Sequence, residues 1–227
     1  MTRPALLVYD CLIRIGIIYG GRSAEHEISR QSAFNVVSAI GQSAHEVVAL
    51  RIDRDGSWHR EEVDVFLENS HPQEGGGVVT ALPGSRHRGM PQQAIPPEQS
   101  SIFTQEALQN LDVVFPMLHG PYGEDGSIQG LLKTADIPFA GPGVLSAAVG
   151  LDKDVMKRLL VGAGIPVADF LVVYRADPRA SWEGVSDRLG STVFVKPANL
   201  GSSVGISKVV DSVALANAME QAFAYDT

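Results

Sequence analysis

A β–α–β pattern near the start of the sequence is the feature that most constrains its fold. The segment RIGIIYGG (14–21) is an apolar run that ends in two glycines, which predicts a buried parallel strand followed by a tight turn. Residues 27–40 then place apolar side chains at helical spacing and end at Gly41, and HEVVALRID (45–53) predicts a second strand. This order predicts an α/β fold with a doubly wound parallel sheet and a site at the strand ends.

The rest of the chain divides into a polar excursion and a second ordered region. Residues 70–101 are dominated by Gly, Pro, Gln and Ser, which predicts a long surface segment whose histidines, His71 and His87, are solvated. The later predicted elements are a strand over 111–118, a helix through Ile128, Leu131 and Leu132, a helix over 151–163 with an apolar stripe of Val155, Met156, Leu159 and Leu160, a β-rich segment over 167–175, a hairpin over 192–210 and a final helix from 212.

Composition excludes two classes of partner. The net charge of -8 argues against a nucleic-acid binder, which needs a basic face, although it permits a small phosphate ligand. The longest uncharged stretch, 137–151, has 15 residues and falls short of the roughly 18 to 20 that span a membrane. Cys11 is the single cysteine, so no internal disulfide forms and a reducing, cytoplasmic location is expected.

Two loops after predicted strands carry candidate ligands next to helix starts. In GGRSAEHEIS, Glu25 either caps and stabilises the helix N-terminus or faces a ligand. Spacing alone favours the capping interpretation. In HGPYGEDGS, His119 ends a strand, and Glu124 with Asp125 either contact a substrate or cap the next helix. Two neighbouring carboxylates are too few for a metal site, so no metal ligand is predicted.

Two lysines stand beside segments that suit phosphate. Lys153 lies in the first turn of a predicted helix, where the dipole disfavours a cation, so either the flanking aspartates offset it or it points at an anion. Lys196 precedes the glycine–serine tip of the predicted hairpin, which differs from the Walker order, where lysine ends the loop. Backbone N–H groups in such a turn form an anion-binding nest, so this hairpin predicts phosphate binding.

Together the four loops resemble the D-alanine–D-alanine ligase family, which has the ATP-grasp fold. GGRSAEHEIS, VFPMLHGPYGEDGSIQGLL, LDKDVMKRLL and FVKPANLGSSVGISKV are similar to its signatures, in its order, and the resemblance covers residues 14–227. It implies an N-terminal substrate domain over residues 1–140, followed by the first, incomplete half of an ATP-grasp domain over residues 141–227. The glycine–serine loop then corresponds to the small lid that covers ATP.

The resemblance also implies a role for each matching residue. Glu25 holds the ammonium of the first D-alanine, and Ser202 is linked to Glu25 through hydrogen bonds. His119 lies beside the first D-alanine. The implied ATP-binding residues are Lys153, Lys196, Gly201, Ser203 and Val204.

The implied reaction joins two D-alanines at the expense of ATP, through an acyl phosphate, for peptidoglycan precursor synthesis. A free carboxylate is a poor electrophile, and lysines, Mg²⁺ and loop N–H groups stabilise the charge that builds on oxygens during its activation. The family's Mg²⁺ ligands have no match here and are expected beyond Thr227. We therefore expect that this chain is truncated at its C-terminus and, by itself, does not ligate D-alanine. We expect the full-length protein to be a homodimer.

Three rival interpretations stay open on the sequence. A ligase of the same fold could make D-alanyl-D-lactate or D-alanyl-D-serine. A non-catalytic nucleotide-binding remnant would keep the lid, but it would not need Glu25 and His119. A dinucleotide-binding oxidoreductase half is disfavoured because the sequence lacks the G-x-G-x-x-G fingerprint.

Overall fold

A computed structural model describes residues 12–41, 45–69, 108, 110–176 and 180–226. The strands are β1 Arg14–Gly20, β2 Glu46–Ile52, β3 Trp58–Glu61, β4 Val113–Pro116, β5 Val193–Val195 and β6 Ser207–Val209. The helices are α1 His26–Ile40, α2 Val63–Asn69, α3 Ser127–Thr134, α4 Val144–Leu151, α5 Lys153–Gly162, α6 Trp182–Leu189 and α7 Ser212–Phe223. Cys11, His71, His87 and the excursion over 70–101 lie outside the described residues.

The larger sheet has four strands in the order β3-β2-β1-β4. β1 is central and runs parallel to both neighbours, with Ile15 opposite Val47 of β2 and Val113 of β4. β3 pairs antiparallel with β2 at the edge, through a turn that begins at Asp53. The predicted α/β fold with a parallel-dominated sheet is confirmed.

Both faces of this sheet are covered by helices. Alternate residues of a strand point to opposite faces, so Ile17 and Tyr19 of β1 pack with α1 and α2 while Ile18 packs with α3 on the other side. All three side chains are fully buried. Strands buried on both faces read as continuous apolar runs, which is why RIGIIYGG has no alternation.

The buried face of α1 differs from its predicted apolar stripe. Ala33 and Val37 are buried as expected, but Ile28 is 47% exposed. The first turn buries the polar side chains of His26 and Ser29 instead. Helical periodicity identified the helix correctly but not the polar groups that start its inner face, because these groups hydrogen-bond to neighbouring loops.

The smaller sheet is the hairpin β5–β6, which confirms the predicted pairing. Val193 lies opposite Val209, and both side chains are buried with residues of α6 and α7. The N-cap residue of α7 is Asp211, whose carboxylate accepts a hydrogen bond from the backbone N–H of Ala214 at 2.8 Å. α6, which periodicity did not identify, begins in the same way at Ser181.

One prediction for the region between the sheets is confirmed, and two are wrong. The helix expected over 151–163 is present as α5, and Asp152 caps it through the N–H groups of Asp154 and Val155. The preceding helix α4 was not predicted. The expected stripe on α5 is not buried, and Leu159 is 56% exposed. Residues 165–173 form no strand, because β propensity without a pairing neighbour does not produce a ladder.

Within the described ranges, no helix has both the length and the apolar character needed to cross a membrane.

Candidate active site

The turn after β1 requires glycine. Gly20 has φ +89°, and a Cβ placed on it would lie 2.3 Å from the carbonyl oxygen of Ile52. Gly21 follows with φ +92° and donates its N–H to the same carbonyl at 2.8 Å. The two glycines therefore let the chain turn sharply over the end of β2 and carry Glu25 to the edge of the sheet.

Ser29 joins the loop after β1 to the loop after β4. Its hydroxyl donates to the carbonyl of Met117 at 2.5 Å and accepts from the N–H of Gly20 at 2.8 Å. Ser29 is fully buried, and His26 adds a contact of 2.9 Å between its Nδ1 and the carbonyl of Gly21. These bonds fix the relative positions of the loops that carry Glu25 and His119.

Glu25 occupies the N-cap position of α1 but makes no side-chain cap. Its carboxylate accepts a hydrogen bond from the hydroxyl of Ser202 in the hairpin tip. The capping interpretation, which spacing alone favoured, is therefore wrong. The hydroxyl of Ser23 accepts from the N–H of Glu25 at 3.1 Å, so the loop is held while the Glu25 carboxylate reaches across to the hairpin.

The loop after β4 brings its backbone next to the Glu25 carboxylate. Gly120 has φ +71°, and a Cβ there would stand 3.2 Å from Oε2 of Glu25. The preceding His119 is half-buried, and its Nε2 lies 3.3 Å from the hydroxyl of Ser32 on α1. An imidazole held in this way stands at the carboxyl end of the parallel strands, beside the Glu25 loop.

The two carboxylates of this loop serve its own backbone. Asp125 accepts hydrogen bonds from the N–H groups of Tyr122 at 2.8 Å and Ser127 at 2.9 Å. Of the two roles considered for it, substrate contact and capping of the next helix, these bonds fit capping. Glu124 accepts from the N–H of Gly120 at 2.7 Å. Across the described residues there is no group of three or more His, Cys, Asp or Glu side chains that could hold a metal ion, so these residues do not fit a Mg²⁺ site.

The hairpin tip has the backbone of an anion-binding turn. Ser202 and Ser203 have φ +48° and +59°, values uncommon for residues other than glycine, and Gly205 follows at +70°. The N–H of Val204 is bonded to the carbonyl of Gly201 at 3.2 Å. Both serines are exposed, and because the Ser202 hydroxyl donates to Glu25, the Ser203 hydroxyl is the one that can reach a ligand.

Lys153 points from the start of α5 to the base of the hairpin tip. Its Nζ donates to the carbonyl of Ala198 at 3.2 Å and to the carbonyl of Leu200. Burial lowers the pKa of Lys153, the charge of Lys196 lowers it further, and Asp226 and Asp152 oppose the change. A half-buried lysine and an exposed one that repel each other are suited to share a polyanion.

One cleft of about 660 Å³ collects most of the predicted ligands. Five predicted site residues line it, namely Lys153, Lys196, Gly201, Ser202 and Ser203. Glu25 adjoins this group through its bond to Ser202, whereas His119 and Val204 are not part of the lining. A larger cavity of about 870 Å³ lies between α5 and α6 but contains none of the predicted residues.

Gln129 of α3 is a wall residue that sequence reasoning missed. Its side chain is 5% exposed and lines the cleft, its Nε2 donates to the carbonyl of Gly123 at 2.9 Å, and its Oε1 is buried without a protein partner. Its only sequence signal was a polar residue beside the apolar Ile128 on α3. That signal does not distinguish a surface position from a buried one.

Comparison with known proteins agrees with the geometry. A family model described as "D-ala D-ala ligase N-terminus" matches residues 14–142, and one described as "D-ala D-ala ligase C-terminus" matches residues 159–227. The chain is 44% identical over 220 residues to a D-alanine--D-alanine ligase of Shouchella clausii (strain KSM-K16), covering 94% of this chain and 57% of that protein.

Two solved structures share the fold. The D-alanine-D-alanine ligase from Coxiella burnetii matches with a TM-score of 0.74 and 31% identity, over 94% of this chain and 61% of that one. The VanG D-Ala:D-Ser ligase from Enterococcus faecalis matches with a TM-score of 0.72 and 30% identity, over 96% of this chain and 61% of that one. The chain therefore spans less than two thirds of the length of each of these relatives.

Proposed function

This chain belongs to the D-alanine–D-alanine ligase family, and we propose on that basis that its protein joins two D-alanines with ATP as the energy source. The products are D-alanyl-D-alanine, ADP and phosphate, and the dipeptide serves as a peptidoglycan precursor. The observation that carries the proposal is the bond between Ser202 and Glu25. It joins a phosphate-binding hairpin to a carboxylate suited to an amino acid, as a reaction between the two ligands requires.

The proposed chemistry proceeds in two steps. A carboxylate oxygen of the first D-alanine attacks the γ-phosphorus of ATP, the bond to the β-phosphate oxygen breaks, and ADP leaves. The amine of the second D-alanine then attacks the acyl carbon, loses a proton, and expels inorganic phosphate. Negative charge moves between oxygens in both steps, so fixed positive groups lower both barriers.

Lys153 and Lys196 supply that fixed positive charge in the proposal. Both line the cleft, and both act on phosphate as point charges. The hairpin tip adds the hydroxyl of Ser203 and the backbone N–H groups of Gly201, Ser202 and Ser203, which cover the phosphates and exclude water. The resemblance also implied Val204, but its N–H is bonded to the Gly201 carbonyl.

The first D-alanine occupies the side of the cleft nearest β1 and β4 in the proposal. The Glu25 carboxylate accepts its ammonium, Ser202 orients that carboxylate, and His119 lies beside the substrate carboxylate. The imidazole is itself oriented by Ser32 at 3.3 Å. Holding the carboxylate at the γ-phosphate makes the first step effectively unimolecular.

Several finer points belong to the same proposal. Mg²⁺ screens the phosphate charge when bound, and we assign it to no described residue because none forms a suitable cluster. We further propose a boundary near residue 140 between a substrate domain and the ATP-binding half, a homodimeric assembly, and a cytoplasmic location where ATP is available.

A direct assay tests the proposal. The protein expressed from its intact gene is incubated with ATP, Mg²⁺ and D-alanine, and the products are separated by chromatography. We expect one ADP and one phosphate for each D-alanyl-D-alanine formed, and no dipeptide from L-alanine. ATP hydrolysis without dipeptide would contradict the proposed reaction.

A second product is a specific alternative because the VanG D-Ala:D-Ser ligase shares the fold over 96% of this chain. Assays with D-alanine in competition with D-serine or D-lactate separate the alternatives. We expect the D-alanyl-D-alanine product to dominate. A mixed product formed in larger amount would reassign the second substrate without altering the roles given to Lys153 and Lys196.

A further inference from the structure

The segment that follows α7 returns to the hairpin tip and contacts both of its ends. Asp226 Oδ2 accepts from the backbone N–H of Asn199 at 2.8 Å and from its side-chain Nδ2 at 3.2 Å. The ring of Tyr225 has its Cδ2 3.0 Å from the Cβ position of Gly205, at the other end of the tip. Arg175 holds the segment itself by donating to the Asp226 carbonyl at 3.2 Å.

The residue held by Asp226 lies between the two carbonyls that hold Lys153. Ala198 and Leu200, the neighbours of Asn199, both accept from the Lys153 ammonium, and Ala198 also accepts the Lys153 backbone N–H at 3.1 Å. Any movement of Asn199 therefore moves the acceptors of the lysine. A single carboxylate after α7 thus fixes the peptide on which the ammonium rests.

Charge reinforces this geometric link. The ammonium of Lys153 is affected by Lys196 after β5, by Asp152 at the start of α5 and by Asp226 after α7. Lys196 disfavours the charged form of Lys153, while the two carboxylates favour it. Asp226 therefore helps to keep Lys153 protonated in a position where burial and Lys196 both oppose protonation.

We propose that Asp226 is a positioning residue for ATP: it does not touch the nucleotide but fixes the base of the hairpin tip and, through Asn199, the ammonium of Lys153. This inference rests on the proposed function, because it assigns Lys153 to ATP phosphate. It extends the site to a residue after the last helix of the described chain, which neither the loop motifs nor the cleft lining contains.

Isothermal titration of ATP with excess Mg²⁺ into the protein expressed from its intact gene tests the proposal. Asp226→Asn keeps an oxygen acceptor for Asn199 but removes the charge, so we expect the Kd to rise about threefold. Asp226→Ala removes the acceptor as well, and we expect the Kd to rise about tenfold. Asp187→Asn, on the exposed surface of α6, makes the same charge change and is expected to leave the Kd unaltered.

The pH dependence of the same titration provides a readout that a general loss of structure would not reproduce. Removing the Asp226 charge lowers the pKa of Lys153 further, so ATP affinity should begin to fall at a lower pH in Asp226→Asn than in the unchanged chain. Asp187→Asn should retain the original profile. Far-UV circular dichroism and melting curves show whether each variant is folded. If Asp226→Ala is unfolded, Asp226→Asn alone decides the test.

The outcomes separate the inference from the function on which it rests. If the unchanged chain binds ATP and Lys153→Gln weakens binding, but Asp226→Asn and Asp226→Ala leave the Kd and the pH profile unchanged, the role of Asp226 is refuted alone. If the unchanged protein from the intact gene does not bind ATP, both the proposed function and this inference fail. If the Asp226 variants bind ATP more weakly, and their affinity begins to fall at a lower pH, both the proposed function and the role of Asp226 are supported.

Discussion

Ser202 and Glu25 are joined by a hydrogen bond from hydroxyl to carboxylate although 177 positions separate them in the chain. The bond connects the tip of the β5–β6 hairpin to the N-cap residue of α1. The loop that we assign to phosphate and the loop that we assign to the amino acid are thereby brought into contact at the end of the parallel sheet. The predictions below test the two halves of this site and the scaffold that supports it.

Glu25→Gln should impair the use of D-alanine and leave ATP binding intact. Replacing the carboxylate removes the charge assigned to the substrate ammonium, so kcat/KM for D-alanine in the intact gene product should fall about tenfold to a hundredfold. Ser202→Ala should cost less, and the double variant should lose less than the sum of both, because the two residues act as a pair.

Glu27→Gln is the matched control for this prediction. Glu27 also lies in the first turn of α1 but is 59% exposed and pairs only with surface arginines in the described contacts, Arg30 and Arg54. It should behave as the unchanged protein. Equal losses from Glu25→Gln and Glu27→Gln would mean that the helix start, not the cleft carboxylate, is responsible.

Lys153→Gln should weaken ATP binding and remove part of its pH dependence. The pKa of Lys153 is lowered from the ordinary 10.5 by burial and by Lys196. The charged form dominates below that lowered pKa, so ATP affinity should be full at neutral pH and fall as the pH rises through it. Titration calorimetry across alkaline pH measures this decline, which should disappear in Lys153→Gln.

Lys157→Gln controls for the loss of a lysine from the same helix. Lys157 donates to the carbonyl of Ala168 at 3.1 Å and does not line the cleft. We expect its ATP affinity and pH profile to match those of the unchanged chain. A profile that is the same in Lys153→Gln as in the unchanged chain would remove Lys153 from the phosphate site.

Gly20→Ala should destabilise the fold by about 2–4 kcal/mol, because it combines a left-handed backbone with a Cβ in contact with a backbone oxygen. The Cβ would stand 2.3 Å from the Ile52 carbonyl at φ +89°. Urea unfolding measures the loss. Gly130→Ala is the control of opposite sign: it lies inside α3 with no atom within 4 Å of its Cβ position, and should stabilise by about 0.5–1 kcal/mol.

Ser29→Ala should lower the free energy of unfolding by about 1–3 kcal/mol, since it leaves a buried N–H and a partly buried carbonyl without this partner. The affected groups belong to Gly20 and Met117. Ser38→Ala, a half-buried position further along α1, serves as the comparison in the same urea titration. If both variants lose equal stability, the bridge between the two loops contributes nothing specific.

The sheet could be predicted from the sequence because local pattern and burial coincide there. RIGIIYGG and HEVVALRID are short apolar runs flanked by glycine or charged residues, and both form parallel strands. The segment over 167–175 has the same composition but no strand forms, since a strand also needs a neighbour that composition does not supply. Helix α4 was not predicted because its sequence, VLSAAVGL, is almost uniformly apolar or small and shows no helical alternation of polar and apolar residues.

The resemblance of the motif loops implied the link between Ser202 and Glu25, whereas local spacing did not. Local spacing favoured a cap at Glu25, whereas its carboxylate bonds to a serine in the distant hairpin. The contact between Asn199 and Asp226 joins residues 27 positions apart, and nothing in the local pattern distinguishes Asp226 from a solvated acid. The chemical roles of the site residues and the domain boundary near residue 140 stay predictions.

Isotope transfer tests the central proposal, that one cleft brings an amino-acid carboxylate to ATP phosphate, most directly. The intact gene product is given ATP, Mg²⁺ and D-alanine labelled with ¹⁸O in its carboxylate, and the released phosphate is examined by mass spectrometry. We expect one ¹⁸O in each phosphate formed, because the carboxylate oxygen that attacks phosphorus leaves with it. Phosphate that carries no label would show that D-alanine is never phosphorylated and would contradict the proposed site.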